Sequence, residues 1–277
     1  TNQELQIEMG LVGAIIVRPA GFDMMMPTAY AHMDSMYDRE FLFLFTEMDP
    51  SIHELIEQGR IDEVDTTTWF PVIWFINGRC APDTMSDAFD PLLPHQPYNC
   101  MPMMHPGDAV LLRIISAGKN PHPFHTHGNN FTIIARDGRL LQSAPGAGAD
   151  LSVSDFTITI PPGATADAIF TWTGAQLGWD IYGHDVNAPM EPNEYAPDHG
   201  LPFPVTLPHR EEVVRGAMWS GSPFLGALGA LPPGEGGFNP NGGSTFMCHS
   251  HAEKEITTFD IFPGGLMTML LIEAPSV

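Results

Sequence analysis

Short segments rich in β-branched and aromatic residues recur along the chain, and tight-turn sequences such as Asn77-Gly78, Asp137-Gly138 and Pro161-Pro162-Gly163 separate them. Segments of this kind form β-strands, and such turns join neighbouring strands. The pattern predicts an all-β fold, an antiparallel sandwich or barrel. The predicted strands are Leu11–Val17, Glu40–Phe45, Val72–Ile76, Ala109–Ile115, Asn130–Ala135, Phe156–Ile160, Asp167–Thr171 and Leu266–Ile272.

Two other segments depart from the strand pattern. A short helix is predicted over Asp49–Gly59, because Ser51 and Glu54 form a capping-box pattern and Gly59 supplies a C-terminal stop. Residues 183–243 are crowded with Pro and Gly and lack a strand period. A loop of that length is usually functional or an interface element, and the alternative is a surface insertion without a role.

The charge of the chain limits its partners. Its 277 residues include 33 Asp and Glu against 11 Lys and Arg, a formal net charge of −22. Nucleic acids and anionic membranes need a basic face, so both are excluded as partners, whereas small cations remain compatible. The longest apolar run, Met9–Val17, is shorter than the roughly 20 residues that span a bilayer, so no membrane span is expected.

Three cysteines are too few for a disulfide framework. Cys80 and Cys100 flank a turn-rich segment, and they either pair, as in an oxidising compartment, or remain free thiols. Cys248 precedes a histidine pair and is treated with it below.

Two His-x-His pairs are the strongest chemical signal. His125 and His127 lie in the segment HPFHTHG, and His249 and His251 lie in FMCHSH. In a strand, alternate side chains share a face, so each pair directs two imidazoles the same way. Imidazole suits copper, zinc, iron and nickel. The other histidines are interpreted as isolated surface or core residues: His32, His53, His95, His105, His184, His199 and His209.

The HPFHTHG segment resembles the copper-binding motif in the last cupredoxin domain of multicopper oxidases, laccases included. The resemblance covers roughly residues 40–182 and 244–274 and implies a cupredoxin-like Greek-key sandwich. By motif position, it implies that His122 binds type 1 copper and that His125 and His127 bind the type 2 and type 3 coppers. The C-terminal pair, His249 and His251, would ligate type 3 copper.

The C-terminal motif departs from the family pattern H-C-H-x3-H-x4-M, and two alignments compete. If HSH is the H-C-H element, Ser250 replaces the type 1 cysteine, Glu255 the later histidine and Asp260 the axial ligand. If MCH is that element, Cys248 is kept as the type 1 candidate, and Met247 replaces one outer histidine. Glu253 then replaces the later histidine and Thr258 the axial ligand. In a variant of this second alignment, Cys248 would bind type 1 copper together with His251 and His122. We prefer the first alignment because it preserves both histidine pairs. It predicts that the type 1 copper is lost, since serine and carboxylates cannot supply a thiolate site.

The N-terminal segment gives the expected domain organisation. Residues 5–19 resemble the strand that closes the first cupredoxin domain of the family. We expect residues 1–21 to be the closing strand of a preceding cupredoxin domain, whose remainder is missing or lies on another chain. Residues 22–277 would then be a cupredoxin domain with an insertion at about 183–243.

The resemblance implies a copper-dependent oxidoreductase. This chain would contribute half of a trinuclear copper site for O₂ reduction, coupled to one-electron oxidation of a small reductant or metal ion. A second cupredoxin domain or chain would complete the site, so an oligomer in an extracellular or periplasmic compartment is expected. The alternatives are a non-enzymatic copper-binding or electron-transfer protein, and a structural subunit on a cupredoxin scaffold.

Overall fold

Within residues 2–96, 99–202 and 244–273, which the computed structural model describes, twelve strands form two sheets. The strands are β1 Arg39–Met48, β2 Ile73–Ile76, β3 Met103–Met104, β4 Ala109–Ser116, β5 His122–Thr126, β6 Phe131–Arg136, β7 Arg139–Leu140, β8 Val153–Asp155, β9 Thr157–Ile160, β10 Thr165–Thr171, β11 Ser244–Ser250 and β12 Met267–Ile272. The helices are α1 Gln3–Glu8 and α2 Pro50–Glu57, and short 3-10 helices cover Met33–Ser35, Ile61–Glu63, Thr66–Thr68, Asp83–Met85, Ala196–Asp198 and Glu253–Ile256.

The first sheet has the strand order β2-β1-β4-β10-β6-β7, with β8 also paired to β6, and the second has the order β3-β12-β11-β5-β9. Most neighbours are antiparallel, as expected, but β1 pairs with β4 and β3 with β12 in parallel. Parallel neighbours need a long crossover connection, and the segment that joins β1 to β4 is one, since it contains α2, β2 and β3. The fold is the all-β, cupredoxin-like sandwich that the sequence predicts.

The core lies between the two sheets. Phe43 and Phe45 of β1 are fully buried and contact Phe124 of β5, with ring centroids 5.3 and 4.9 Å apart. Phe131 and Phe170, on β6 and β10, are also fully buried. Since aromatic side chains of this size bury 150–250 Å² each, they dominate the energy that holds the sheets together. The second sheet, which carries both histidine pairs, is thereby fixed against the first.

Helix α2 confirms the predicted helix but not its predicted cap. The side chain of Asp49, rather than that of Ser51, accepts the capping hydrogen bond, from the Ser51 amide at 3.0 Å. Pro50 occupies the first helical position, where its fixed φ and missing N–H cost nothing. Gly59 follows the helix with φ +72°, which confirms it as the stop.

The N-terminal segment differs from the prediction. Residues 3–8 are helical, and Leu11–Val17 do not form a strand. Ile15 and Val17 are 92% and 81% exposed, so these apolar side chains have little cover from the described part of the chain. A strand requires a hydrogen-bonded neighbour, and none of the strands described here pairs with this segment. The assignment of residues 1–21 to a preceding domain remains a prediction.

The three cysteines are free thiols, which resolves the alternative left open for Cys80 and Cys100. Of the segment 183–243, residues 203–243 lie outside the described residues, and so does His209. In the part of the chain that is described, no helix is both long and apolar enough to cross a membrane.

Candidate metal centre

Strands β5 and β11 are antiparallel neighbours and place the two histidine pairs side by side. His125 lies directly opposite His249 in the register. The pairing continues past both strand ends, because the His127 amide donates to Met247 O at 3.0 Å and the His251 amide donates to Pro123 O at 2.8 Å. Each pair therefore keeps the period of two that directs its imidazoles to one face.

The rings converge closely. The possible ligand atoms of His125, His127 and His249 all lie within 4.8 Å of one another, and the Nε2 atoms of His127 and His249 are 3.2 Å apart. The ring of His251 lies alongside, with its centroid 4.3 Å from that of His125 and 5.1 Å from that of His249. The structure thus brings together the four predicted ligands.

Hydrogen bonds orient two of the imidazoles. His249 Nδ1 donates to the Ser250 carbonyl oxygen at 2.8 Å, which leaves the Nε2 lone pair of the neutral ring facing His127. Nδ1 of His125 lies 2.9 Å from the Thr157 hydroxyl of β9. Such contacts to the remaining ring nitrogen fix the tautomer of metal-binding histidines in general. The sequence analysis did not identify Thr157, because strand β9 was predicted without its partner.

Burial keeps these imidazoles neutral. His125 is 4% exposed, and its burial, with the adjacent rings of His251, His127 and His249, lowers its pKa to about 4. Burial and the nearby His251 also lower the pKa of His249. A neutral imidazole is the form that binds a metal ion, so His125 and His249 are in the ligating state at neutral pH. His251 is exposed, and the cluster therefore opens to solvent at that side.

His122 lies away from this cluster, between two buried carboxylates. Its Nδ1 is 3.0 Å from Glu255 Oε2, and its Nε2 is 3.3 Å from Glu47 Oε1. The Ser250 hydroxyl donates to Glu255 Oε2 at 2.5 Å. Burial opposes protonation of His122, but the Glu255 and Glu47 carboxylates outweigh it and raise its pKa to about 9. We call His122, Glu47, Glu255 and Ser250 the buried ion-pair cluster.

The buried ion-pair cluster contains His122, Ser250 and Glu255 of the altered type 1 motif, whereas Asp260, the axial position in the preferred alignment, is exposed. Glu255, in the 3-10 helix after β11, contacts both His122 of β5 and Ser250 of β11. Cys248 lies elsewhere, fully buried in the core beside the Thr126 hydroxyl at 3.4 Å. Burial raises the pKa of the Cys248 thiol to about 12, so it is a neutral thiol at physiological pH.

His184 and His199 are not isolated, and the prediction that they are is wrong. Together with Asp180 and Glu194 they form a second group whose ligand atoms all lie within 4.8 Å of one another. Sequence reasoning missed it because the four residues lie in a Pro- and Gly-rich stretch without strand or helix periodicity. The available signal was the density of ligand-type residues between 180 and 199.

Comparisons with known proteins agree with the resemblance carried by the histidine motif. Residues 77–175 match the family model of multicopper oxidases, and no curated protein matches the chain. Solved structures similar to it include the blue copper oxidase from Nitrosomonas europaea (16% identity, TM-score 0.45, 84% of this chain and 43% of that chain). Others are the multicopper oxidase mgLAC (14%, 0.44, 87% and 45%) and Fet3p, a multicopper oxidase that functions in iron import (10%, 0.40, 87% and 29%).

The chain spans less than half the length of each of these structures. Copper is the metal that proteins of the matched family bind. Residues 77–175, which lie within the sandwich described above, are therefore similar to the multicopper oxidase family.

Proposed function

We propose that this chain supplies half of a trinuclear copper site, through His125, His127, His249 and His251, in an oxidoreductase that reduces O₂. The observation that carries the proposal is the pair of Nε2 atoms of His127 and His249, 3.2 Å apart. Since the His249 Nε2 bears a lone pair when Nδ1 donates to a carbonyl, a cation between or beside the two rings satisfies both.

The residues present fit copper. Four imidazoles on one face, two of them oriented by contacts to Thr157 and the Ser250 carbonyl, form the nitrogen-rich donor set that copper prefers. When bound, copper ions in such a set supply the one-electron chemistry that couples substrate oxidation to O₂ reduction. The chain's own residues hold neutral ligands in place and bury one side of the site.

The exposure of His251 supports completion of the site by a second domain or chain. The cluster is closed on the side of His125 and open on the side of His251. A partner that approaches this open side would add the remaining ligands and exclude water. The exposed residues Ile15 and Val17 are a further place where a partner domain would bury apolar surface.

The buried ion-pair cluster lies where a type 1 copper, the site of electron entry, would be expected. A type 1 site needs a thiolate with two imidazoles, and here Ser250 and Glu255 hold the corresponding positions next to His122. We propose that the electron-entry copper belongs to the partner, where a small reductant or a low-valent metal ion would be oxidised. Export to an extracellular or periplasmic compartment and an oligomeric assembly are parts of the same proposal.

Elemental analysis of the purified assembly, combined with measurement of O₂ consumption, tests the proposal. We expect bound copper and O₂ consumption in the wild type, and loss of both in a His127→Gln/His249→Gln variant. His95→Gln is the matched control, because His95 is exposed and outside the cluster. Copper retained in the double variant would refute the site, and copper without O₂ consumption would favour the binding protein over the oxidase. A blue absorption band that Cys248→Ser abolishes would refute the loss of the type 1 site in this chain.

A further inference from the structure

A second group of metal-ligating side chains lies outside the histidine pairs and shares no residue with them. It comprises Asp180, His184, Glu194 and His199, and we call it the 180–199 cluster. The geometry points to a binding site for one divalent transition-metal ion of the zinc type, held by two imidazoles and two carboxylates.

The ligand atoms have the spacing of a coordination shell. His184 Nδ1 lies 3.3 Å from Asp180 Oδ2 and 3.4 Å from Glu194 Oε1. His199 Nδ1 lies 3.7 Å and 2.7 Å from the same two oxygens. In a tetrahedral zinc site with bonds of about 2.0–2.1 Å, neighbouring ligand atoms are about 3.4 Å apart. The distances in the cluster bracket that value.

The orientation of His199 requires a cation. Its Nε2 lies 3.0 Å from the Ala188 carbonyl oxygen, and this contact requires the N–H at Nε2. The Nδ1 of the neutral ring is then a lone pair, yet it lies 2.7 Å from a Glu194 oxygen. Two acceptors at that distance repel unless a proton or a metal ion lies between them. Contact with Glu194 accordingly raises the pKa of His199.

A metal ion satisfies more of these contacts than a proton does. One proton on His199 neutralises a single contact, whereas His184 Nδ1 faces the same two carboxylate oxygens. The side chains of Asp180 and Glu194 are 0% and 4% exposed, and no Lys or Arg among the described residues forms an ion pair with either. Two buried carboxylates without a strong cation are costly. A divalent ion compensates both at once.

The carboxylates are held in place before any ion arrives. Asp180 Oδ2 accepts from the Gly200 amide at 2.9 Å, and Asp180 Oδ1 accepts from the Tyr182 amide at 2.8 Å. Glu194 Oε2 accepts from the Glu191 amide at 2.8 Å. Each carboxylate thus accepts one or two hydrogen bonds from the backbone, and its other lone pairs face the histidines of the cluster. Preorganisation of this kind raises metal affinity because little order is lost on binding.

The donor set defines the class of ion and its role. Two imidazoles with two carboxylates suit zinc, and softer thiolate-seeking ions are disfavoured because no cysteine is present in the cluster. Four protein ligands leave no open position, which is the pattern of structural rather than catalytic sites. Asp180 lies between Trp179 and Ile181, both part of the buried core, so the ion would fix residues 184–199 to the sandwich.

Zinc binding by the metal-stripped chain tests this site separately from the copper proposal. In a His127→Gln/His249→Gln background, which removes two of the four paired histidines, we expect one Zn²⁺ per chain by isothermal titration and elemental analysis. A further His184→Gln/His199→Gln substitution should lower the affinity for that ion by more than about 100-fold. The added His95→Gln substitution is the control and should change nothing.

A second variant separates loss of Zn²⁺ binding from loss of folding. Glu194→Gln keeps the shape of the side chain but removes its charge, and near-ultraviolet circular dichroism reports whether the buried tryptophans keep their environment. We expect Glu194→Gln to stay folded and to weaken Zn²⁺ binding. If the background binds no Zn²⁺, or if Glu194→Gln binds it as tightly as the background does, the cluster is a protonated His-carboxylate network and the inference is wrong.

Discussion

Replacement of His122 by glutamine should remove most of the loss of stability that the buried ion-pair cluster causes at alkaline pH. His122 is fully buried, and Glu47 and Glu255 are 4% and 6% exposed. The folded pKa of about 9 compares with about 6.5 for a histidine in an unfolded chain. The difference corresponds to about 3 kcal/mol of free energy of unfolding, at about 1.4 kcal/mol per pKa unit.

The sign follows from the direction of the shift. Because the folded pKa is raised, the stabilisation is fully present below pH 6.5 and is lost as the pH rises through 9. The wild-type chain should therefore lose about 3 kcal/mol of unfolding free energy from this group between pH 6 and pH 9. The His122→Gln variant should be less stable at pH 6, because the two carboxylates lose their cation, and its decline towards pH 9 should be much shallower.

Urea unfolding in metal-free buffer, followed by tryptophan fluorescence at several pH values between 6 and 9, measures the effect. His95→Gln is the control for loss of an exposed histidine and should retain the wild-type slope. Glu255→Gln removes one carboxylate, so it should move the loss of stability to lower pH without abolishing it. Equal slopes in the wild type and His122→Gln would refute the assignment of a protonated His122 in the folded state.

Three further changes have definite expected outcomes. Cys248→Ser places a hydroxyl in a fully buried site and should lower the free energy of unfolding by about 1–3 kcal/mol in urea titrations, while elemental analysis shows unchanged copper. Glu40→Gln removes a carboxylate whose pKa, despite burial, is lowered by two arginine partners. It should therefore cost more stability at pH 7 than at pH 3, as acid unfolding would show. Gly128→Ala should lower the free energy of unfolding by about 1–3 kcal/mol more than Gly138→Ala, because both have positive φ but only the former directs a Cβ to within 2.8 Å of the Phe246 ring. Equal melting temperatures for the two alanine variants would contradict that account.

The sandwich and the paired histidines were predictable because local periodicity determines them. A period of two places His125 and His127 on one face whatever the partner strand is, and turn residues mark where strands end. The same logic failed for Leu11–Val17, whose composition suits a strand but which pairs with no strand in the described chain. Composition identifies residues that tolerate an extended backbone, and pairing decides whether they form a sheet.

The electrostatic partners were not predictable from sequence. His122 and Glu255 are 133 residues apart, and only the register of β5 against β11 brings them together. Likewise, His184 and His199 each look isolated in the sequence, and a lone histidine carries little information. Their role depends on Asp180 and Glu194, which meet them through loop geometry that no periodicity encodes.

Glu47 of β1 joins the two sheets through its contacts with the loop before β5 and with His122. Glu47 Oε1 accepts from the Asn120 amide at 2.6 Å, and a Cβ at Gly118 would lie 1.5 Å from Oε2, so only glycine leaves room for this carboxylate. Nε2 of His122, on β5 of the other sheet, lies 3.3 Å from Glu47 Oε1, so protonated His122 links β1 to β5 by an ion pair. Deprotonation of His122 at alkaline pH weakens this link between the sheets without altering any residue. This end of the sandwich should therefore loosen first on titration to high pH, while the aromatic centre remains closed.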